Sequence, residues 1–261
     1  MFPGFLKRRR RDRVRTQPFP AGWRSVIEQS VAFFSRLSPN DQKELLGHAQ
    51  VFLAEKRFEG CAGVVITDEI RVVIAAQACL LLLRRKTDYF PRLLTILVYP
   101  STFTVDHQRY VTPNIAWEGP EQRLGETGRQ MGSMVLAWDA VTAGAADASD
   151  GRNVVFHEFA HQLDYEDYTT DGVPLLRSRQ QEQSWSSVMR VEFASLQAAS
   201  DTGIPTLLDH YGATNPAEFF AVAVEAFFER PKSMKFRHPR MFEELQRYFQ
   251  QDPTQYSAEN G

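Results

Sequence analysis

Residues 153–164 read NVVFHEFAHQLD, and the fold turns on this stretch. Val154, Val155, Phe156, Phe159, Ala160 and Leu163 are too dense for a solvent-facing helix, so the spacing predicts a helix buried on nearly every side. Within it, His157-Glu158-Phe159-Ala160-His161 forms an HExxH pattern. Positions four apart lie one turn apart on the same face, so both imidazoles can bind one ion. Glu158 is rotated about 100° from His157, which directs it to the water of a zinc site rather than to the ion. Polar groups on so apolar a helix need partners, because burying them unpaired is costly. With six His and 18 Glu in 261 residues, chance yields the pattern in about one such sequence in a hundred.

A zinc ion in a hydrolase takes three protein ligands and keeps one position for water. The longer HExxHxxGxxH pattern is absent: Asp164 stands where the glycine would be and Asp167 where the third histidine would be. That leaves a carboxylate from a later helix. Pro216–Glu229 (PAEFFAVAVEAFFE) carries Glu218 and Glu225 seven apart on one apolar stripe with Val222 between them. A buried carboxylate requires a counter-charge, and a divalent cation would supply it. Glu218 could instead be a first-turn carboxylate favoured by the helix dipole, and Glu225 an arginine partner. Spacing leaves the two open.

FHEFAHQLD (156–164) and DHYGATNPAEFFAVAVEAFFERP (209–231) resemble the Mlc titration factor A (MtfA) family of bacterial zinc peptidases, whose catalytic domain is similar to that of anthrax lethal factor. FLAEKRFEG (52–60), TILVYPSTFTVD (95–106) and MVLAWDAV (134–141) match the family's framework, so the resemblance spans about residues 23–253. It implies that His157, His161 and Glu218 bind one Zn²⁺, that Glu158 is the general base and acid, and that Tyr211 stabilises the oxyanion. It implies an aminopeptidase acting on peptide substrates. A second reading is a non-catalytic protein that titrates an Mlc-like glucose-responsive repressor, its zinc site latent. The arginine-rich N-terminus and the interval between the two motifs depart from the family pattern.

The rest of the chain is organised around these motifs. Residues 1–22 (with Lys7, Arg8, Arg9, Arg10, Arg11, Arg13 and Arg15, then Pro18 and Pro20) read as a poorly ordered basic arm. Residues 23–261 read as one metallopeptidase domain: an α/β portion to about 142, a helical portion over about 143–253, and a short tail. Helices are predicted over 25–37, from Pro39 to about Lys56, over 68–85, 184–199 and 239–250. Strands are predicted within 58–66, 93–100 and 134–138, with alternation over 101–111 and turns over 118–132. Ser149-Asp150 offers an N-cap ahead of the HExxH helix. The fold class is α+β, a gluzincin-like core of active-site helix, glutamate helix and small mixed sheet with an N-terminal helical portion.

Several residues carry smaller expectations. Asp164 is either a partner that orients a ligand histidine or a plain helix-end carboxylate. His210 is a candidate for the cleft lining, His48 and His107 read as ordinary polar histidines, and His238 as exposed. Cys61 and Cys79 read as small buried hydrophobes.

Composition excludes other classes. The chain is 43% hydrophobic and 24% charged, which rules out wholesale disorder and a fibrous repeat. A formal net charge of −2 gives no case for nucleic acid. Two cysteines without CxxC spacing exclude a disulfide scaffold and a cysteine zinc ribbon. The longest apolar run, 72–83 (VVIAAQACLLLL), is flanked by arginines and falls short of the about 18 residues of a membrane span. With no secretory signal pattern at the N-terminus, the expected location is the cytoplasm.

Overall fold

The structure is a computed structural model that describes residues 3–101 and 132–256. All but the first residue of the alternation over 101–111, His107 and all but the last residue of the turn-rich 118–132 lie outside the described residues. The helices there are α1 (Pro3–Arg15), α2 (Ala21–Ser30), α3 (Ala32–Arg36), α4 (Pro39–Glu55), α5 (Asp68–Leu80), α6 (Trp138–Ala146), α7 (Val154–Asp164), α8 (Arg179–Thr202), α9 (Pro216–Glu229), α10 (Pro231–Arg237) and α11 (Pro239–Phe249). The strands are β1 (Arg57–Gly60), β2 (Thr95–Tyr99) and β3 (Ser133–Ala137). No helix among the described residues is long and apolar enough to cross a membrane.

The small sheet has the order β1-β2-β3, and its described strands are all parallel, with Arg57 opposite Thr95 and Thr95 opposite Ser133. Parallel neighbours need a crossover, and α5 supplies it between β1 and β2. Ile96 and Val98 of β2 and Met134 and Leu136 of β3 turn to the core. Lys56, buried between α4 and β1, donates to the Phe90 and Leu93 carbonyls at 2.7 and 2.6 Å. Burial pushes its ammonium down to about 8.

Four differences from the sequence reading have physical causes. The basic arm is a helix. Arg11 forks onto Glu55 at 2.8 Å through both Nε and Nη2 and also pairs with Asp88, while Lys7 reaches Asp88 at 2.9 Å. Acids from α4 and the loop before β2 thus offset the self-repulsion that argued for disorder. Gly47 makes the approach possible, since a Cβ there would lie 2.6 Å from Arg15 Cγ. Val31, extended at φ −117°, splits the helix expected over 25–37 into α2 and α3.

The helix expected over 68–85 ends at Leu80, although Leu81, Leu82 and Leu83 remain fully buried. Periodicity there recorded burial, not helix, because the freed carbonyls of Leu80 and Leu83 are taken by Gln251 Nε2 at 3.0 and 3.4 Å. Finally, α7 is capped not by Ser149-Asp150 but by Asn153, whose Oδ1 accepts from Val155 N and Phe156 N.

The core is aromatic and α7 runs through it. Phe159 packs its ring 4.6 Å from Phe90 and 5.7 Å from Phe52, and Phe156 sits 5.3 Å from Phe228 of α9. Phe159→Ala is expected to destabilise the fold by about 3–5 kcal/mol. A melting temperature lowered by on the order of 10 °C checks it, and a change under a degree would overturn it.

Candidate metal centre

Two helices bring the site together. α7 presents His157 and His161 one turn apart. α9 lies against it and begins at Asn215, whose Oδ1 accepts from Glu218 N at 3.0 Å, with Pro216 in the first turn. The N-cap thereby fixes where Glu218 leaves the helix.

His157 Nε2 lies 3.0 Å from Glu218 Oε2 and 3.3 Å from His161 Nε2, and His161 Nε2 lies 3.3 Å from the same Glu218 oxygen. Among the described residues, these three form the one group of ligand-type side chains with donor atoms within 4.8 Å of one another, and all three are buried. Two imidazole nitrogens facing each other across 3.3 Å repel unless a proton or a cation lies between them. Two nitrogens and one carboxylate oxygen converging on a point are a donor set that suits Zn²⁺. Burial works against charge on both members of the pair, yet their mutual hydrogen bonds win. Glu218 is held well below the ordinary carboxylate range by His157 and His161, and His157 is raised by Glu218 and Glu225.

Among the described residues Glu225 pairs with no arginine and lies outside the His157, His161 and Glu218 group. Its Oε1 sits 2.8 Å from His157 Nδ1, and its Oε2 accepts from Asn153 N at 2.5 Å. It therefore holds the imidazole by the nitrogen that faces away from Glu218, the arrangement by which an outer carboxylate fixes a ligand histidine's tautomer. Asn153 ties this to the core: its Nδ2 donates to Gln77 Oε1 and the Gly144 carbonyl, each at 3.0 Å. Gly144 eases that approach, since a Cβ there would lie a tight 3.1 Å from Asn153 Cγ.

Glu229, one turn beyond Glu225, accepts from Gly151 N and Arg152 N at 2.9 and 2.8 Å. Neither Asn153 nor Glu229 stood out in the sequence. The signal for Glu229 was its place on the same stripe, four residues after Glu225 and eleven after Glu218. Burial, reinforced by the Asp150 carboxyl, pushes Glu229 up to about 9. An acid whose folded pKa is raised stabilises the fold most below its unfolded value, about 4.3, and that contribution is lost as pH rises through about 9. Glu229→Gln cannot ionise, so it is expected to keep its melting temperature where the wild type falls between pH 6 and about 9. Parallel melting curves for the two proteins over that range would refute it.

Glu158 is half-buried beside this centre, and its charge raises His157. Tyr211 lies in the 3₁₀ turn His210–Ala213, capped by Asp209, and its ring centre is 6.1 Å from that of His157. His210, the cleft candidate, points its Nε2 at the Ile204 carbonyl 3.0 Å away. Asp164 makes no hydrogen bond to His157 or His161. Its Oδ2 accepts from Gly172 N at 3.1 Å, while its Oδ1 and His161 Nδ1 are buried without a hydrogen-bond partner among the described residues. Burial lifts the Asp164 carboxyl to about 6.

The remaining histidines divide. His48 is an ordinary buried histidine bonded to Tyr89 and Glu44, whereas His238 is half-buried on Glu192 at 2.8 Å rather than exposed. Cys79 is buried and Cys61 only partly so.

The family model for glucose-regulated metallo-peptidase M90 matches residues 5–250. The chain belongs to this family. An uncharacterised protein of Synechocystis sp. is 40% identical over 91% of this chain and 86% of its own length. Mlc titration factor A of Klebsiella pneumoniae (strain 342) is 32% identical over 90% of this chain and 89% of its own. That of Serratia proteamaculans is 30% identical over 89% and 88%. The match thus takes in α1 from its third residue onward as well as both motifs.

Proposed function

We propose that this M90 chain is a zinc-dependent peptidase, with Zn²⁺ on His157, His161 and Glu218. The observation that carries the reading is the convergence of those three side chains beside a half-buried Glu158. Zinc bound there supplies Lewis acidity and brings the pKa of water down to about 7. Glu158 then accepts the proton of the attacking water and returns it to the leaving amine. Tyr211 donates its hydroxyl proton in a hydrogen bond to the oxyanion that develops on the carbonyl oxygen. Glu225 and Asn153 keep His157 oriented while charge redistributes.

An aminopeptidase is the activity to test first. A panel of aminoacyl chromogenic substrates, with metal content assayed on the same samples, is expected to show turnover with one zinc per chain. Chelation should abolish it and lower the melting temperature. Metal at about 100 times its Kd contributes about 2.7 kcal/mol, or roughly 5–10 °C here. Metal-free protein with full turnover would overturn the reading.

The relatives' name, Mlc titration factor A, favours a second reading, the holding of an Mlc-like repressor without cleavage. Repressor binding that survives both Glu158→Gln and chelation, in a protein that hydrolyses none of the panel, would establish it in place of the first.

A further inference from the structure

The inner and outer faces of α1 have different fates. Lys7, Arg11 and Arg15 follow one another at four-residue spacing, and this face is pinned to the body through Asp88, Glu55 and Gly47. Arg11 also lies 4.7 Å over the Tyr89 ring. Half a turn away stand Phe5, Leu6, Arg9, Arg10 and Arg13, all exposed. Phe5 is 61% and Leu6 55% accessible, on a helix about 20 Å long held flat on the protein surface.

We infer that this outer face of α1 docks on an anionic lipid surface. An interfacial helix needs apolar side chains that enter the acyl boundary and arginines at headgroup height. Here the two occur in one face, with the apolar pair at its N-terminal end. The six residues of sequence before Lys7 carry no charged side chain, and Arg8, Arg9 and Arg10 follow directly.

Charge complementarity is local: the chain as a whole carries −2, so an anionic bilayer would select this face and orient the molecule by it. A nucleic acid would use the arginines but not the apolar pair. Arg9 also lies 5.5 Å over the Phe5 ring, occupying a face that a base would stack on. The inference is independent of the peptidase reading.

The test is sedimentation of the full chain with phosphatidylcholine vesicles, alone or mixed with phosphatidylglycerol, at low and high salt. The expected result is binding to the mixed vesicles only, weakened by salt. Arg9→Gln/Arg10→Gln/Arg13→Gln should weaken it by about 100-fold, at about fivefold per lost charge. Phe5→Ser/Leu6→Ser should weaken it by at least about tenfold. Both variants leave Lys7 and Arg11 in place, and an unchanged circular dichroism spectrum confirms that they fold. Failure to bind mixed vesicles at low salt would overturn the inference, as would either variant binding like the wild type. Polyuridylate binding lost with the arginines but indifferent to Phe5→Ser/Leu6→Ser would assign the face to nucleic acid instead.

Discussion

Glu158→Gln is expected to lower kcat for peptide hydrolysis by about 10²–10⁴-fold while leaving zinc at wild-type stoichiometry. The glutamine keeps the volume and the polar contacts of the half-buried side chain but cannot accept a proton. The proposed ligand atoms lie on other residues, one turn apart on α7 and across on α9. The two readouts therefore separate cleanly. Loss of both activity and metal would mean that Glu158 supports the site structurally. Full activity with metal bound would remove it from the reaction, whichever peptide is used.

The second large effect separates the two glutamates of α9. Among the described residues, Glu218→Gln removes the one carboxylate within hydrogen-bond reach of both Nε2 atoms. It is expected to weaken zinc binding beyond the about 10–100-fold typical of losing an outer-sphere partner. Glu225→Gln should fall within that range, because His157 loses only the group that holds its Nδ1. Competition against a chromophoric chelator measures both affinities on folded protein. Equal losses would mean that the two carboxylates share the ion. A larger loss at Glu225 would reverse the assignment.

These two residues also show how far sequence reasoning reaches. HExxH on an apolar helix and a buried carboxylate stripe were readable because helical spacing places residues three, four and seven apart on one face. The stripe could not say which carboxylate faces which nitrogen, since that depends on how α7 and α9 cross and where each is capped. Asn153, not Ser149-Asp150, sets the start of α7, and Asn215 sets that of α9. The Asn153 amide then bonds Glu225, whose other oxygen meets His157. That assignment arises from contacts across 61 to 72 residues of chain, where local pattern carries no information.

The N-terminal arm and the apolar run 72–83 teach the same point from opposite directions. Arginine density argued for disorder until Glu55 and Asp88 were known to lie beside it. Leucine density argued for helix where Gln251 in fact accommodates the freed carbonyls of a turn. What the sequence determined by itself was the local chemistry: a buried helix carrying HExxH, a carboxylate helix, a short sheet and an α+β class. Each rests on periodicity or on residue type at short range. What only the tertiary structure decided was pairing: which glutamate faces the imidazole nitrogens, which one holds His157 from behind, and which acids anchor α1. Charge and hydrogen bonding act between elements distant in the chain, and their outcome is fixed only when the core brings those elements together.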